Sequence, residues 1–387
     1  MLSQITCNNS QENKITRIDG STIGEHHLDD QIKILIDKAN VTGLSVTIFN
    51  NNKIAYQKAF GYSNNETKDT LDVNHNIYGA SFSKAVYGYI ISVLAQENTI
   101  ELDKELYKYL DVDLPDLNIE KEFRRLHDLK EDDRYKQITT RMCLSHTTGF
   151  SNWRWLTEPD EKLRIHFAPG SNYSYSGEGM VLSQWIVEHV TGRTLEELAI
   201  DKVFNPLKMT HTHYLWREDF NEHFCYGHNV NEEKIPRDIE TEDANAAGSL
   251  STTVSDYSKF LMHILNLHSN DSEITKTIFN PNIRIKSKAQ FGPLSKEITD
   301  ENDDIELSYG LGWGLLKSDY GIGVFKEGHG EGFQHYSILF PDKNSGVLIM
   351  SNSDNAESIF KELLEVTIGD IFTPWKWENY IPYNKKD

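Results

Sequence analysis

The sequence predicts an α/β (α+β) fold in which one antiparallel sheet is flanked by terminal helices and a mostly helical lobe is inserted between its two halves. Three observations carry that expectation. Strand-length apolar runs gather at both ends of the chain, in GLSVTIFN and IAYQKAF (43–60) and again from YGLGWGLL onward (309–352). Helical periods and long loops fill the interval from about 79 to about 304. One helical segment precedes the first strands and another follows the last, so each can cover a face of a shared sheet.

Taken in order, residues 28–39 place Leu28, Ile32, Leu35 and Ile36 at helical spacing. GLSVTIFN alternates Leu44, Val46 and Ile48, and Asn51-Asn52 separates it from IAYQKAF, which is a hairpin signal. The middle region includes EKEFRRLHDLKEDDRYK (120–136), a charged segment expected to be a solvated excursion. Towards the other end YGLGWGLL (309–316), YGIGVFK (320–326), FQHYSILF (333–340) and GVLIMSN (346–352) read as strands. PDKNSG (341–346) supplies a turn between the last two, and a helix near 354–370 follows. The expected boundaries are a polar N-terminal tail over 1–24, a single domain over 25–372 and a C-terminal tail over 373–387. Within the domain, 25–78 and 305–372 form the sheet lobe and 79–304 the helical lobe. A cleft between lobes is a usual place for a small-molecule site.

Composition narrows the function classes. The chain has 387 residues, 38% of them apolar and 11% aromatic, enough to build a packed interior of more than one lobe. Thirty-nine basic residues against 59 acidic ones leave a formal charge of −20, which argues against nucleic acid or an anionic membrane as partner. Cys7, Cys143 and Cys225 show no CxxC spacing, so neither a disulfide framework nor a thiolate zinc site is suggested. No apolar run approaches the ~20 residues of a membrane span. MLSQITCNNSQENK lacks the basic and apolar regions of a signal peptide. Cys7 and its polar surroundings fit either the remnant of an exported, lipid-anchored start or an ordinary tail cysteine of a cytoplasmic protein.

The stretch YGASFSKAVYGY (78–89) looks like the start of a buried helix yet carries Ser81 and Lys84. Positions three apart share a helix face, so the two side chains can touch. Ala80, Phe82, Ala85, Val86 and Ile90 make a dry setting in which a lysine loses its charge. A neutral amine beside a hydroxyl can take its proton and turn it into a nucleophile. The spacing alone is weak, because Ser358-Ile-Phe-Lys361 repeats it within an ordinary amphipathic helix. Other chemistries are unsupported. No G-x-S-x-G elbow occurs, and His26, His27, His146, His329 and His335 form no H-E-x-x-H pattern. His146 reads as a structural hydrogen-bonder, and neither a metal nor a cofactor is expected.

With these residues in view, the sequence resembles the penicillin-recognising serine hydrolases: class C β-lactamases, penicillin-binding DD-peptidases and related esterases, all of the S-x-x-K type. Besides SFSK (81–84), the segments ITTRMCLSHTTGF (138–150), FAPGSNYSYSGEGMVLSQWIVEHVTG (167–192) and AAGSLSTTVSDYSKFLMHILN (246–266) run in the family's order. GHGEGFQHYSILFPDKNSGVLIMSN (328–352) follows in its place. The resemblance covers roughly 28–370 and implies a β-lactamase/transpeptidase-like fold with Ser81 as nucleophile and Lys84 as its base. It places the family's Y-x-N on Tyr175-Ser176-Gly177, making Tyr175 a second proton-transfer group, with Gly177 where an asparagine is usual. It places the K-T-G strand on His329-Gly330-Glu331-Gly332-Phe333, so that the cation and the threonine hydroxyl are both missing. His329, Gly330, Glu331 and Gly332 would then line the substrate site, and a backbone N–H near Glu331 or Gly332 would join that of Ser81 as an oxyanion hole.

The expected function is a serine hydrolase working through an acyl-enzyme on small esters, amides or peptides, with an esterase-like preference. A β-lactamase or DD-peptidase of the same family is one alternative, and a non-catalytic penicillin-binding or sensor module is the other. Intact Ser81, Lys84 and Tyr175 favour the enzyme, while Gly177 and the His329 segment keep the binding module open. Oligomeric state is not legible in the sequence.

Overall fold

The computed structural model describes residues 12–117, 125–236 and 242–385. Its centre is a nine-stranded antiparallel sheet. β1 (Lys14–Thr16) and β2 (Thr22–Gly24) form a small separate ribbon that leads into helix α1 (Glu25–Ala39). β3 (Gly43–Asn50) and β4 (Lys53–Asn64) make the expected hairpin. Its turn residues Asn51 and Asn52 both take left-handed φ values, 50° and 57°, a conformation that asparagine tolerates better than most side chains. β5 (Asp69–Thr70) adds to its edge, and β6 (Ile77–Ala80) runs directly into α2 (Phe82–Gln96).

The helical region comprises α2, α3 (Thr140–Leu144), α4 (Arg154–Thr157), α5 (Gly177–Thr191), α6 (Leu195–Ala199) and α7 (Asn205–Leu207). It closes with β7 (Leu250–Thr252), α8 (Val254–Ser269) and α9 (Glu273–Ile278). β7 pairs with β6, which ties the helical region to the chain just ahead of Ser81. The sheet resumes with β8 (Ile283–Arg284), β9 (Ser308–Tyr309), β10 (Gly314–Ser318), β11 (Gly321–Gly330), β12 (Phe333–Phe340) and β13 (Ser345–Ser351), followed by α10 (Phe360–Thr367). The strand order is β5-β4-β3-β13-β12-β11-β10-β9-β8, so β3 from the start of the chain pairs with β13 from its end. One sheet face packs on α1, α10 and the C-terminal segment through Val46, Ile48, Ile338 and Phe360; the other packs on α2 and α8 through Phe82, Phe260, Leu339 and Leu348.

Four expectations need correction. YGLGWGLL is not one strand, because Gly312 turns the chain at φ 82°. That turn lets the backbone approach α2 so closely that a Cβ on Gly88 would lie 2.3 Å from the Leu311 oxygen. The charged segment 120–136 falls partly outside the described residues, and its remainder is not simply solvated: Leu126, Leu129 and Tyr135 are buried in the core. The N-terminal stretch is structured from residue 12, since Ile15, Ile18 and Ile23 belong to the core beneath α1; Cys7 lies outside the described residues. The C-terminal stretch also packs, with Trp377 fully buried and its backbone carbonyl accepting from the Gln290 N–H at 2.8 Å. Both termini carry apolar anchors within polar surroundings, which composition averages hide.

Candidate active site

Ser81 caps the N-terminus of α2, following Ala80, which is held at a left-handed φ of 46°. An alanine in that region is strained, and such strain recurs where a reactive side chain must be aimed. Two glycines explain how β11 reaches this corner. A Cβ on Gly328 would lie 3.0 Å from the Gly79 carbonyl oxygen, and one on Gly330 would lie 2.7 Å from the Tyr78 ring. Buried His335 secures the contact, donating from Nε2 to the Tyr78 carbonyl at 2.7 Å while its Nδ1 accepts from the Ser351 N–H. Burial lowers its pKa to about 4, so it is a neutral strut.

Lys84 lies one helical turn after Ser81 and is 2% exposed. Its Nζ sits 2.9 Å from Ser81 Oγ and 2.6 Å from the Ala247 carbonyl oxygen. Burial drives its pKa well below the ordinary lysine value, and the charge on Lys326 pushes the same way. A neutral amine can donate one N–H to Ala247 and turn its lone pair towards the serine hydroxyl. The Ala247 carbonyl thus anchors the Lys84 amine.

Tyr175 immediately precedes Ser176, the N-cap of α5, whose Oγ accepts from the Gly179 N–H at 3.0 Å. The Tyr175 ring lies 4.8 Å from Lys84 Nζ and 4.3 Å from the ring of His146. His146 is fully buried and accepts at Nδ1 from the Ser176 N–H, so it is the neutral structural group that the sequence suggests. Burial pushes the Tyr175 hydroxyl up to about 12, opposed by Lys326 and by its hydrogen bond with Ser81. Lys326 donates to Tyr175 Oη at 3.2 Å and is paired with Glu327 at 2.8 Å, both residues being buried. Against the cost of burial, Glu327 and Tyr175 hold Lys326 above its usual value, and Lys326 in turn holds Glu327 below its own. Serine, lysine, tyrosine and a second lysine therefore meet at one point, between the first turn of α2, the α5 N-terminus and the open edge of β11.

A family model described as Beta-lactamase matches residues 28–366 of this chain. The chain belongs to the Beta-lactamase family. Protein flp of Staphylococcus aureus (strain MRSA252) is 22% identical over 342 residues, 85% of this chain and 63% of that protein. The chain thus spans under two thirds of the length of this curated relative. Among solved structures, the octameric penicillin-binding protein homologue from Pyrococcus abyssi is similar at TM-score 0.70 and 20% identity, over 91% of this chain and 79% of that one. The D-alanine carboxypeptidase AmpC from Burkholderia cenocepacia is similar at TM-score 0.67 and 15% identity, over 89% of this chain and 98% of that one. A class C β-lactamase gives TM-score 0.67 at 18% identity, over 89% and 96%. These likenesses show the β-lactamase/transpeptidase-like fold.

Within this Beta-lactamase family member, the third-motif reading needs correction. The strand does bring a cation to the site, but it is Lys326, three residues ahead of His329, in the sequence Lys326-Glu327-Gly328. Reading the motif one stretch too late hid it. A lysine closing the apolar run GIGVF and followed by x-Gly was the available signal. His329 instead lies at the rim, where Glu357, 3.3 Å from Nε2, raises its pKa against partial desolvation. The oxyanion expectation shifts as well. The Gly332 N–H already donates to Asp354 Oδ1 at 2.8 Å. Glu331 and Gly332 form a two-residue turn closed by the pair Gly330–Phe333, so ladder alternation points the His329 N–H away from β12. That side of β11 is open, because β10 pairs with it only as far as Phe325.

Gly177 also finds its reason. A Cβ there would lie 2.3 Å from the Trp153 ring, so the indole occupies the direction an asparagine side chain would take. Trp153 is fixed by its neighbour Arg154, which forms a buried two-pronged pair with Glu178 at 2.8 and 2.9 Å. Gly177→Asn is expected to destabilise the fold by about 1–3 kcal/mol through overpacking, read as a lower urea midpoint, with Trp153→Ala in the same chain restoring much of the loss. The second S-x-x-K has a different setting. Ser358 Oγ donates to the Asn355 carbonyl at 2.6 Å, and Lys361 pairs with Glu365 at the surface. Among the described residues no cluster of histidine, cysteine and acidic side chains could hold a metal ion, and no helix is long and apolar enough to cross a membrane.

Proposed function

We propose that the protein is a serine hydrolase that acylates Ser81 and turns over small neutral esters in preference to β-lactams. The observation that carries this reading is the buried Lys84 amine 2.9 Å from Ser81 Oγ, whose pKa burial drives well below the ordinary lysine value. In the acylation step Ser81 Oγ bonds to the substrate carbonyl carbon as its proton passes to Lys84 Nζ. The backbone N–H groups of Ser81 and His329 receive the oxyanion. Tyr175, protonated at rest, gives a proton to the departing alkoxide or amine and is restored from Lys84. Water then attacks the acyl-enzyme with the same groups reversed.

The ester preference rests on charge. Substrates bearing a carboxylate need an uncompensated cation, and Lys326 is already matched by Glu327 at 2.8 Å, with Gln290 donating to the same carboxylate oxygen at 2.7 Å. A neutral ester forfeits nothing by that pairing. The β-lactamase or DD-peptidase reading draws support from Lys326 itself, which is a cation beside Tyr175 however it is balanced. The test compares kcat/KM for p-nitrophenyl acetate or butyrate with that for nitrocefin on one preparation. Esters are expected to win. A nitrocefin advantage of roughly tenfold, about 1.4 kcal/mol of transition-state free energy, would overturn the preference. A fluorophosphonate probe that leaves the intact mass unchanged would favour the binding module instead.

A further inference from the structure

Behind the Tyr175–Lys326 contact lies a buried polar cluster assembled from distant parts of the chain. Six buried side-chain atoms there have no protein hydrogen-bond partner: His146 Nε2, Tyr173 Oη, Gln290 Oε1, Tyr309 Oη, Glu327 Oε2 and Glu378 Oε1. They are neighbours. The His146 ring lies 6.0 Å from that of Tyr173 and 4.8 Å from that of Tyr309. Gln290 bridges from Glu327 to the carbonyl of Trp377, the residue next to Glu378. Because His146 Nδ1 accepts from a backbone N–H, its Nε2 carries the proton, so the three rings offer donors and Gln290, Glu327 and Glu378 offer acceptors.

The acyl-transfer scheme needs no second buried carboxylate here, yet Glu378 is 5% exposed and forms no ion pair among the described residues. Lys326 is already spent on Glu327. A carboxylate buried without a cation is costly enough to keep its proton. We infer that Glu327 and Glu378 hold one proton between them, kept on Glu378 while Glu327 stays ionised against Lys326, and that this proton sets the charge balance under which Lys326 and Tyr175 work. Burial, then the charges of Glu327 and Glu357, push Glu378 well above the carboxylate range, with Lys326 opposing. Tyr173, Tyr309, Tyr336 and neutral His146 face the pair from the other elements, and none brings a positive charge; on Glu327's own strand His329 does, and it lowers Glu327 alongside Lys326. When Glu378 ionises, the added negative charge raises Tyr175 further and opposes the oxyanion, so acylation falls on the alkaline side. Glu378 is thus a positioning residue, acting through Lys326.

The test uses Glu378→Gln in the full chain, with two readouts that need no turnover. Infrared difference spectra at neutral pH should show a protonated-carboxyl C=O band in the wild type that the variant lacks. Because the folded pKa of Glu378 lies above its unfolded value, its contribution to stability is fully present below about pH 4 and is lost as pH rises through the folded value. Glutamine cannot ionise, so the variant's melting temperature should gain on the wild type steadily from about pH 5 to about pH 8. An unchanged band, or a difference flat in pH, overturns the shared proton. Glu327→Gln is the second variant: Glu378 should then ionise against Lys326 and the same band should vanish, and its persistence would count against sharing. The third readout is the rate of fluorophosphonate labelling against pH, which rests on the hydrolase reading. Glu378→Gln should lose the alkaline limb, and profiles that superimpose would sever the link to Lys326 and Tyr175. Absence of labelling in both proteins at every pH would instead sink the hydrolase reading, leaving the first two readouts to judge the proton.

Discussion

Ser81→Ala is expected to abolish acyl transfer, whereas Ser358→Ala should leave it near the wild-type rate. The two serines carry the same S-x-x-K spacing, so the comparison isolates what the surroundings contribute. Lys84 is buried, its pKa driven down by that burial, and within reach of Ser81 Oγ at the N-terminus of α2. Lys361 is half-buried and ion-paired with Glu365, and Ser358 points at a backbone carbonyl. A serine beside a charged, hydrated ammonium group has no base. Loss of a catalytic serine costs on the order of a millionfold in turnover, leaving what the oxyanion hole and binding supply. The measurement is kcat for p-nitrophenyl butyrate in both variants, with intact mass after a fluorophosphonate probe. One adduct, on Ser81, is expected, and labelling at any other residue would remove Ser81 from the role.

How much of this was legible follows from the range of each cue. The hairpin β3–β4 and strands β12 and β13 are local patterns with turn residues at their ends, so period and punctuation suffice. Ser81 and Lys84 are legible because helix geometry brings residues three apart together without knowledge of the rest. Lys326 was not, because its meaning is set by Tyr175, 151 positions earlier in the chain. In sequence it closes a strand and looks like a solvated end. Gly177 was visible as a departure, but its cause is the Trp153 ring, and nothing local announces that contact. Glu378 lies in the stretch expected to be a tail, since Trp377 stands between Lys376 and Glu378 in a short segment without a clear strand or helix period. Pairings across the fold are where sequence patterns fall silent.

Lys84→Ala and Tyr175→Phe should each slow acylation severely, and together they should cost far less than the sum of the two. The reason lies in their division of labour. In the proposed scheme Lys84, its pKa lowered by burial, takes the serine proton, and Tyr175, pushed up to about 12, holds its own and releases it only as one is handed back. Neither half of that exchange runs alone, and groups that act as a unit lose additivity. The acid limb should belong to Lys84. Below its depressed pKa the amine is protonated and cannot accept, so activity rises with pH through that value, up to the alkaline fall assigned to Glu378. Tyr175→Phe should keep the acid limb while lowering the maximum, whereas Lys84→Ala should erase the limb along with the rate. Stopped-flow acylation by p-nitrophenyl acetate from about pH 6 to about pH 9 separates these outcomes, since each limb reports a group in the free enzyme. A Tyr175→Phe enzyme with full activity across that range would reduce Tyr175 to packing against His146. The proton would then have to reach the leaving group from Lys84 directly, along the same line by which it left Ser81.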